Sequence, residues 1–230
     1  AAATSAAVTQ AVAGDSAAPA GKRRFKLKYA PHFGLFEHSA RKDLVDQIKY
    51  AADQGFTAWE DNGMPRRSVD DQNRVAKAMD SLGMTMGVFV ASFGGIGGTA
   101  FASGRKDDAD KAVAGVEKNV EVARRVNAKW MTVVPGNYDP KLELGFQTAN
   151  VIDLLRRCAE ILEPHGLVMV LEPLNWWTDH PNLFLHKIPQ AFEICRAVDS
   201  PSCKILFDIY HQQSQEGNLI PNIDRAWNEI

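Results

Sequence analysis

The sequence predicts an α/β fold built on a parallel sheet, and three observations carry that prediction. Six short apolar runs alternate with stretches of helical periodicity, in units of roughly 30–40 residues; such alternation implies a parallel sheet with right-handed crossovers. Glycines stand at helix–strand joints, at Gly55, Gly83 and Gly166. The run LVMVL at residues 167–171 lacks polar alternation, as a strand buried on both faces should. Two architectures satisfy these observations: a doubly wound open sheet and a (β/α)8 barrel.

Taken in order, FKLKYA at residues 25–30 reads as the first strand, and Pro31 to Gly34 as the loop leaving it. Ser39 caps a helix reaching Gln54, with Leu44, Val45, Ile48, Ala51 and Ala52 on one face. FTAWED at 56–61 is the second strand and ends in acids. Ser68 caps the next helix, with Val75, Met79 and Leu82 inward. MTMGVFVA at 84–91 is the third strand, followed by a long loop over 92–107. Val113, Val116, Val120, Ala123 and Val126 mark the third helix, and KWMTVVP at 129–135 the fourth strand. The fourth helix covers about 148–165, with Ile152, Leu155, Cys158 (or Ala159) and Leu162 inward. The fifth strand climbs to Glu172, where Pro173 stops it. A loop rich in Trp, His and Pro, a helix over 189–198 and the strand 204–208 follow, and residues 220–230 start one more helix.

The first 24 residues stand apart from this domain, which covers 25–230. They are Ala-rich, nearly uncharged through Gly21, and hold small-x-small triplets such as Ala11-Val12-Ala13. That composition resembles the remnant of an export signal and implies a periplasmic or exported protein; a disordered tail on a cytoplasmic one is the alternative. With 26 Lys plus Arg against 28 Asp plus Glu, the net charge is −2. Nothing here offers a basic face for nucleic acid, and no apolar run is long enough to span a bilayer. Cys158, Cys195 and Cys203 form no CxxC; they read as buried thiols, with a Cys195–Cys203 disulfide the alternative outside the cytoplasm.

Gly95-Ile96-Gly97-Gly98-Thr99-Ala100 matches a dinucleotide fingerprint, but it follows the third strand and its helix is broken at once by Ser103-Gly104. A mobile glycine-rich loop over an active site, or a plain flexible loop, is the expectation instead.

Chemistry concentrates at the strand ends. There stand His32, Glu60, Asp61, Ser92, Asn137, Glu172, Asn175, Asp208 and His211. In a barrel these ends converge. Glu172 and Asp208, on adjacent strands, are expected to share one divalent ion. Hard oxygen donors with at most one imidazole suit Mg²⁺ or Mn²⁺ better than closed zinc coordination. Such an ion polarises a carbonyl while a carboxylate moves the proton on the neighbouring carbon. Each residue also has a bland reading. The acids serve as helix caps or solvated ends, His32 as a loop histidine, Glu60 as a partner of Arg66 or Arg67, and Trp176 and Trp177 as packing.

The segments LEPLN and FDIYHQQSQEGNL resemble the hydroxypyruvate isomerase branch of the xylose isomerase-like TIM barrels, over the chain from about Phe25 onward. The resemblance implies that Glu172 binds the metal and acts as acid/base, that Asp208 is a metal ligand, and that His211 contacts a substrate oxygen. Glu60, His32 and the loop after Ser92 lie where relatives build the substrate pocket; Trp176 is expected to wall the site, as aromatic side chains commonly do in sugar-binding pockets. The resemblance also implies a TIM barrel of which this chain holds about six βα units, the last two strands, with a further ligand and a second glutamate, being missing. An open barrel of that kind would expose two edges and favour association with another copy, a homo-oligomer.

The leading expectation is therefore a divalent-metal-dependent isomerase or epimerase of a small sugar or hydroxy-keto acid, acting through a metal-held enediolate. Alternatives are an inosose-type dehydratase on the same scaffold, a non-catalytic carbohydrate-binding barrel, and an endonuclease, which the acidic balance disfavours.

Overall fold

The computed structural model describes residues 24–230. All but the last residue of the Ala-rich tract thus lies outside the described residues.

Residues 25–30 do not form the expected strand. Phe25, Leu27 and Tyr29 are all at least 44% exposed, so their alternation finds no surface to cover, and a strand gains little without one. The segment is tied down by the Phe25 amide donating to the Gly55 carbonyl at 3.0 Å, and the chain just after it forms one parallel bridge, His32 to Glu60. The expected first helix is two: α1 (Glu37–Ala40) and α2 (Leu44–Asp53), separated where Arg41 takes φ 68°. Asp43 caps α2, its Oδ1 accepting the amides of Val45 and Asp46 at 2.9 and 3.2 Å.

β1 (Ala58–Trp59) is followed by α3 (Val69–Ser81), which Ser68 caps as expected, accepting the Asp71 amide at 3.1 Å. The third predicted strand is split by Gly87 into β2 (Thr85–Met86), which pairs with β1, and β3 (Val88–Val90), which pairs with the next strand. The split is narrow: the Gly87 amide donates to the Trp59 carbonyl at 2.7 Å and the Asp61 amide to Val88 at 3.3 Å. A Cβ on Gly87 would sit 3.3 Å from Cβ of Glu60, so glycine leaves that side chain its room.

Beyond lie α4 (Lys106–Val126), β4 (Trp130–Val133), α5 (Leu144–Leu162), β5 (Val168–Leu171), α6 (Ile188–Val198) and β6 (Cys203–Ile205). They are followed by α7 (Ile209–Gln215) and α8 (Leu219–Ala226). Every strand pair is parallel: β1 pairs with β2, and β3, β4, β5 and β6 pair in chain order. A doubly wound sheet reverses its strand order at a switch point. This sheet does not, so the barrel alternative holds. Met131, Met169 and Leu171 on the central strands are fully buried, as are Val116, Leu155 and Ile194 on the covering helices; one continuous core joins them. The three cysteines are buried free thiols, Sγ of Cys195 and Cys203 lying 4.0 Å apart. No helix among the described residues is long and apolar enough to cross a membrane.

The glycine-rich loop is held by hydrogen bonds to the chain after β4. Gly95 donates to the Val134 carbonyl at 2.8 Å, Asn137 to Gly98 at 2.7 Å, and Gly97 to Oδ1 of Asn137 at 3.2 Å. Gly136 (φ 93°) permits this closeness, since a Cβ there would lie 2.4 Å from the Gly98 carbonyl oxygen. Gly136→Ala is expected to cost about 1–3 kcal/mol of unfolding free energy in urea and to speed hydrogen exchange at Asn137. Unchanged stability and exchange would show that the two loops are not clamped together.

Candidate active site

Glu172 follows β5 directly. Its amide donates to the Val133 carbonyl at 3.1 Å, completing the ladder, and Pro173 then withdraws the next donor. β6 pairs with β5 through Met169–Cys203, Val170–Lys204 and Leu171–Ile205, which brings the loop carrying Asp208 beside Glu172. Asp208 caps α7, its Oδ1 accepting the His211 amide at 3.1 Å. The capping role and the site role coexist, because Oδ2 faces Nε2 of His211 at 4.0 Å. Glu172, Asp208 and His211 each offer one ligand atom within 4.8 Å of the others.

Burial first, and then the like charges of Asp208 and Glu60, push the Glu172 carboxyl up from 4.5 to about 7. Glu60 is half-buried and also raised, chiefly by burial, with His32 pulling the other way. Three carboxylates thus crowd one region. His211 is held below the ordinary imidazole value by burial, with Asp208 opposing.

The helix and the loop after β5 are joined by polar side chains. Gln212 Nε2 donates to the Pro173 carbonyl at 2.6 Å, and Gln215 Oε1 accepts the Trp176 amide at 2.7 Å. Both glutamines are buried. Asn175, fully buried, donates through Nδ2 to Asp179 Oδ2 and lies against His211 Nδ1, both at 2.9 Å. Tyr210 donates to the same Asp179 oxygen at 2.7 Å. Hydrogen bonds from Asn175 and Tyr210 keep the Asp179 carboxyl below its usual range.

The structure therefore brings together Glu172, Asp208 and His211, with Glu60 within electrostatic reach. His32 is exposed, bridged to Glu60 through the backbone, and its Nδ1 lies 2.9 Å from the Phe33 carbonyl. Arg67 pairs with Asp61, not with Glu60. Ser92 is tied to Asn119 of α4, and Asn137 to the glycine-rich loop. Trp176 stacks between Tyr138 and His186, with ring centroids at 5.8 and 4.2 Å. It donates to the Leu183 carbonyl at 2.7 Å and lines a cavity of about 450 Å³ whose walls include none of Glu172, Asp208 and His211. The roles of Gln212, Gln215, Asp179 and Tyr210 have no clear sequence signal, since polar residues on a short helix and its neighbouring loop look like a solvated face.

The family model described as xylose isomerase-like TIM barrel matches residues 48–230. The 2-oxo-tetronate isomerase of Pectobacterium atrosepticum is 28% identical over 177 residues, covering 76% of this chain and 66% of that protein. Hydroxypyruvate isomerase of Escherichia coli is 25% identical over 200 residues, covering 85% of this chain and 72% of the relative. Among solved structures, the AP endonuclease, family 2, of Brucella melitensis superposes with a TM-score of 0.71 at 22% identity, covering 85% of this chain and 74% of that one. At that identity the likeness shows a shared fold. The chain spans between 26% and 66% of the length of the first curated relatives it matches.

A carboxyl whose folded-state value is raised binds its proton more tightly folded than unfolded. The stability it contributes is full below its ordinary value of 4.5 and is lost as pH rises toward about 7. In EDTA, the Tm of the wild type should therefore fall more between about pH 5 and about pH 8 than that of Glu172→Gln. Parallel Tm profiles for the two proteins would show that Glu172 is not in the crowded, buried setting described.

Proposed function

The chain belongs to the xylose isomerase-like TIM barrel family, and on that premise we propose that it serves an isomerase or epimerase of a small sugar or hydroxy-keto acid, with Glu172 as the proton-transfer group. The observation that carries the proposal is the Glu172 carboxyl itself: raised to about 7, beside Asp208, at the carboxyl end of a barrel strand. Without a cation, a carboxyl near 7 exchanges its proton at ordinary pH; a cation shared with Asp208 would lower it toward the carboxylate form, the form that acts as base. The isomerase names of the relatives from P. atrosepticum and E. coli support the same chemistry.

The residues present also fit a divalent cation. Two carboxylates and an imidazole converge within 4.8 Å, and the repulsion between Glu172, Asp208 and Glu60 is what a cation would relieve. Glu172 and Asp208 are the residues that would hold it. A bound divalent ion supplies polarisation of the substrate carbonyl, which acidifies the adjacent C–H. Glu172 takes that proton from the carbon next to the carbonyl and returns it to the former carbonyl carbon, while the proton of the adjacent hydroxyl passes to the former carbonyl oxygen, so isomerisation needs only one carbon base on one face; epimerisation needs a second proton donor on the opposite face. His211 meets a substrate oxygen. Glu60, half-buried and raised, lies close enough for its charge to raise the Glu172 carboxyl.

With Mn²⁺ in D₂O, the protein is expected to place deuterium at the carbon next to the carbonyl of hydroxypyruvate or a small ketose. Glu172→Gln should lower that exchange about a hundredfold or more while circular dichroism stays native. Exchange that survives in Glu172→Gln would remove Glu172 from the role. Asp208→Asn retains a capping side chain. It should therefore leave α7 folded while weakening Mn²⁺ binding in isothermal titration, and unchanged Mn²⁺ affinity would count against Asp208 as a ligand.

A further inference from the structure

We infer that Asn175 is a positioning residue that fixes the tautomer of His211, leaving Nδ1 without a proton and turning an Nε2–H toward the carboxylates. The hydrogen bonds around Asn175 require it. Its Oδ1 accepts two backbone amides, those of Thr178 and Asp179, each at 3.1 Å. Its Nδ2 donates to the Asp179 carboxylate at 2.9 Å. An amide turned the other way would set its NH₂ against two N–H donors and its oxygen against a carboxylate. The nitrogen is therefore the atom that lies 2.9 Å from Nδ1 of His211.

A second donor points the same way. The backbone amide of Asn175 reaches the same Nδ1 at 3.4 Å, and no side-chain rotation can change a backbone N–H into an acceptor. The Asn175 carbonyl is itself occupied by the His180 amide at 3.0 Å. Every polar atom of this fully buried residue is thus used. A proton on Nδ1 of His211 would face two donors and no acceptor. The proton of the neutral ring belongs on Nε2, which lies 4.0 Å from Oδ2 of Asp208.

The consequence rests on the isomerase reading above. A histidine that binds a metal through Nε2 carries its proton on Nδ1, and Asn175 opposes that form. His211, although it stands among the converging groups, is set up as a hydrogen-bond donor to a substrate oxygen, and the two carboxylates are left as the cation's side-chain ligands. Asn175 acts only through His211.

The test is long-range ¹H–¹⁵N correlation NMR of the histidine rings in the whole chain, with the His211 signals assigned by their loss in His211→Gln. The wild type should show a pyridine-type Nδ1 and a pyrrole-type Nε2. Asn175→Asp places an acceptor against Nδ1 and should move the ring proton there; if that variant does not fold, Asn175→Ser, whose hydroxyl accepts as well as donates, should show loss of the single Nε2–H form. A pyrrole-type Nδ1 in the wild type overturns the inference. So does a folded Asn175 variant with an unchanged ring. Titration with Mn²⁺ should bind as tightly in His211→Gln as in the wild type, and a loss of affinity there overturns the exclusion of His211 from the ligand set. These readouts need no turnover, so a chain with the expected tautomer and no deuterium exchange would refute the isomerase reading alone.

Discussion

Every side chain in the candidate site depends on one constraint: the strands run parallel and in chain order, so their carboxyl ends open on the same side. β5 and β6 are joined by three register pairs, and this alone brings a glutamate and an aspartate 36 residues apart in sequence to one place. An antiparallel neighbour would put the second acid at the opposite end of the sheet. The juxtaposition has an electrostatic cost, visible in the raised Glu172 carboxyl. Carboxylates crowded in a half-buried position are destabilising unless a cation or a proton intervenes, and both are participants in the proposed chemistry.

Backbone pairing ends at Leu171 and Ile205, yet the site residues lie beyond those ends. Polar side chains take over from the ladder. Gln212 and Gln215 tie α7 to the chain after Pro173, and Asn175 ties that chain to His211. These amides are buried, so an unmade hydrogen bond leaves a desolvated polar group, as at Oε1 of Gln212. The arrangement is thereby specific as well as stable. The same network sets which atom of His211 faces Glu172 and Asp208.

The parts of this structure most legible in the sequence are those where burial is strongest. An uninterrupted LVMVL followed by Glu-Pro reads as a central strand with an acid at its end, and that is β5 and Glu172. Ser68 reads as a helix cap and is one. Edges and breaks are less legible. FKLKYA alternates as a strand should, but its apolar side chains are exposed and the one bridge nearby forms at His32, beyond the segment. A single helix from Ser39 is consistent with the apolar spacing, whereas the break at Arg41 depends on a positive φ at a residue that rarely adopts one. The glycine-rich loop reads as mobile because glycine removes side-chain contacts; its backbone hydrogen bonds to residues 134–137 depend on tertiary neighbours. Asp208 illustrates a different limit. Cap and ligand are alternatives in a sequence, but a carboxylate has two oxygens and can serve both.

The most direct measurement is anomalous diffraction from crystals soaked in Mn²⁺. A peak bonded to carboxylate oxygens of both Glu172 and Asp208, with Nε2 of His211 beyond bonding distance, is the expected result. A peak coordinated by His211 in place of either carboxylate, or no peak between Glu172 and Asp208 at saturating Mn²⁺, would contradict the assignment of these two acids as the shared cation site.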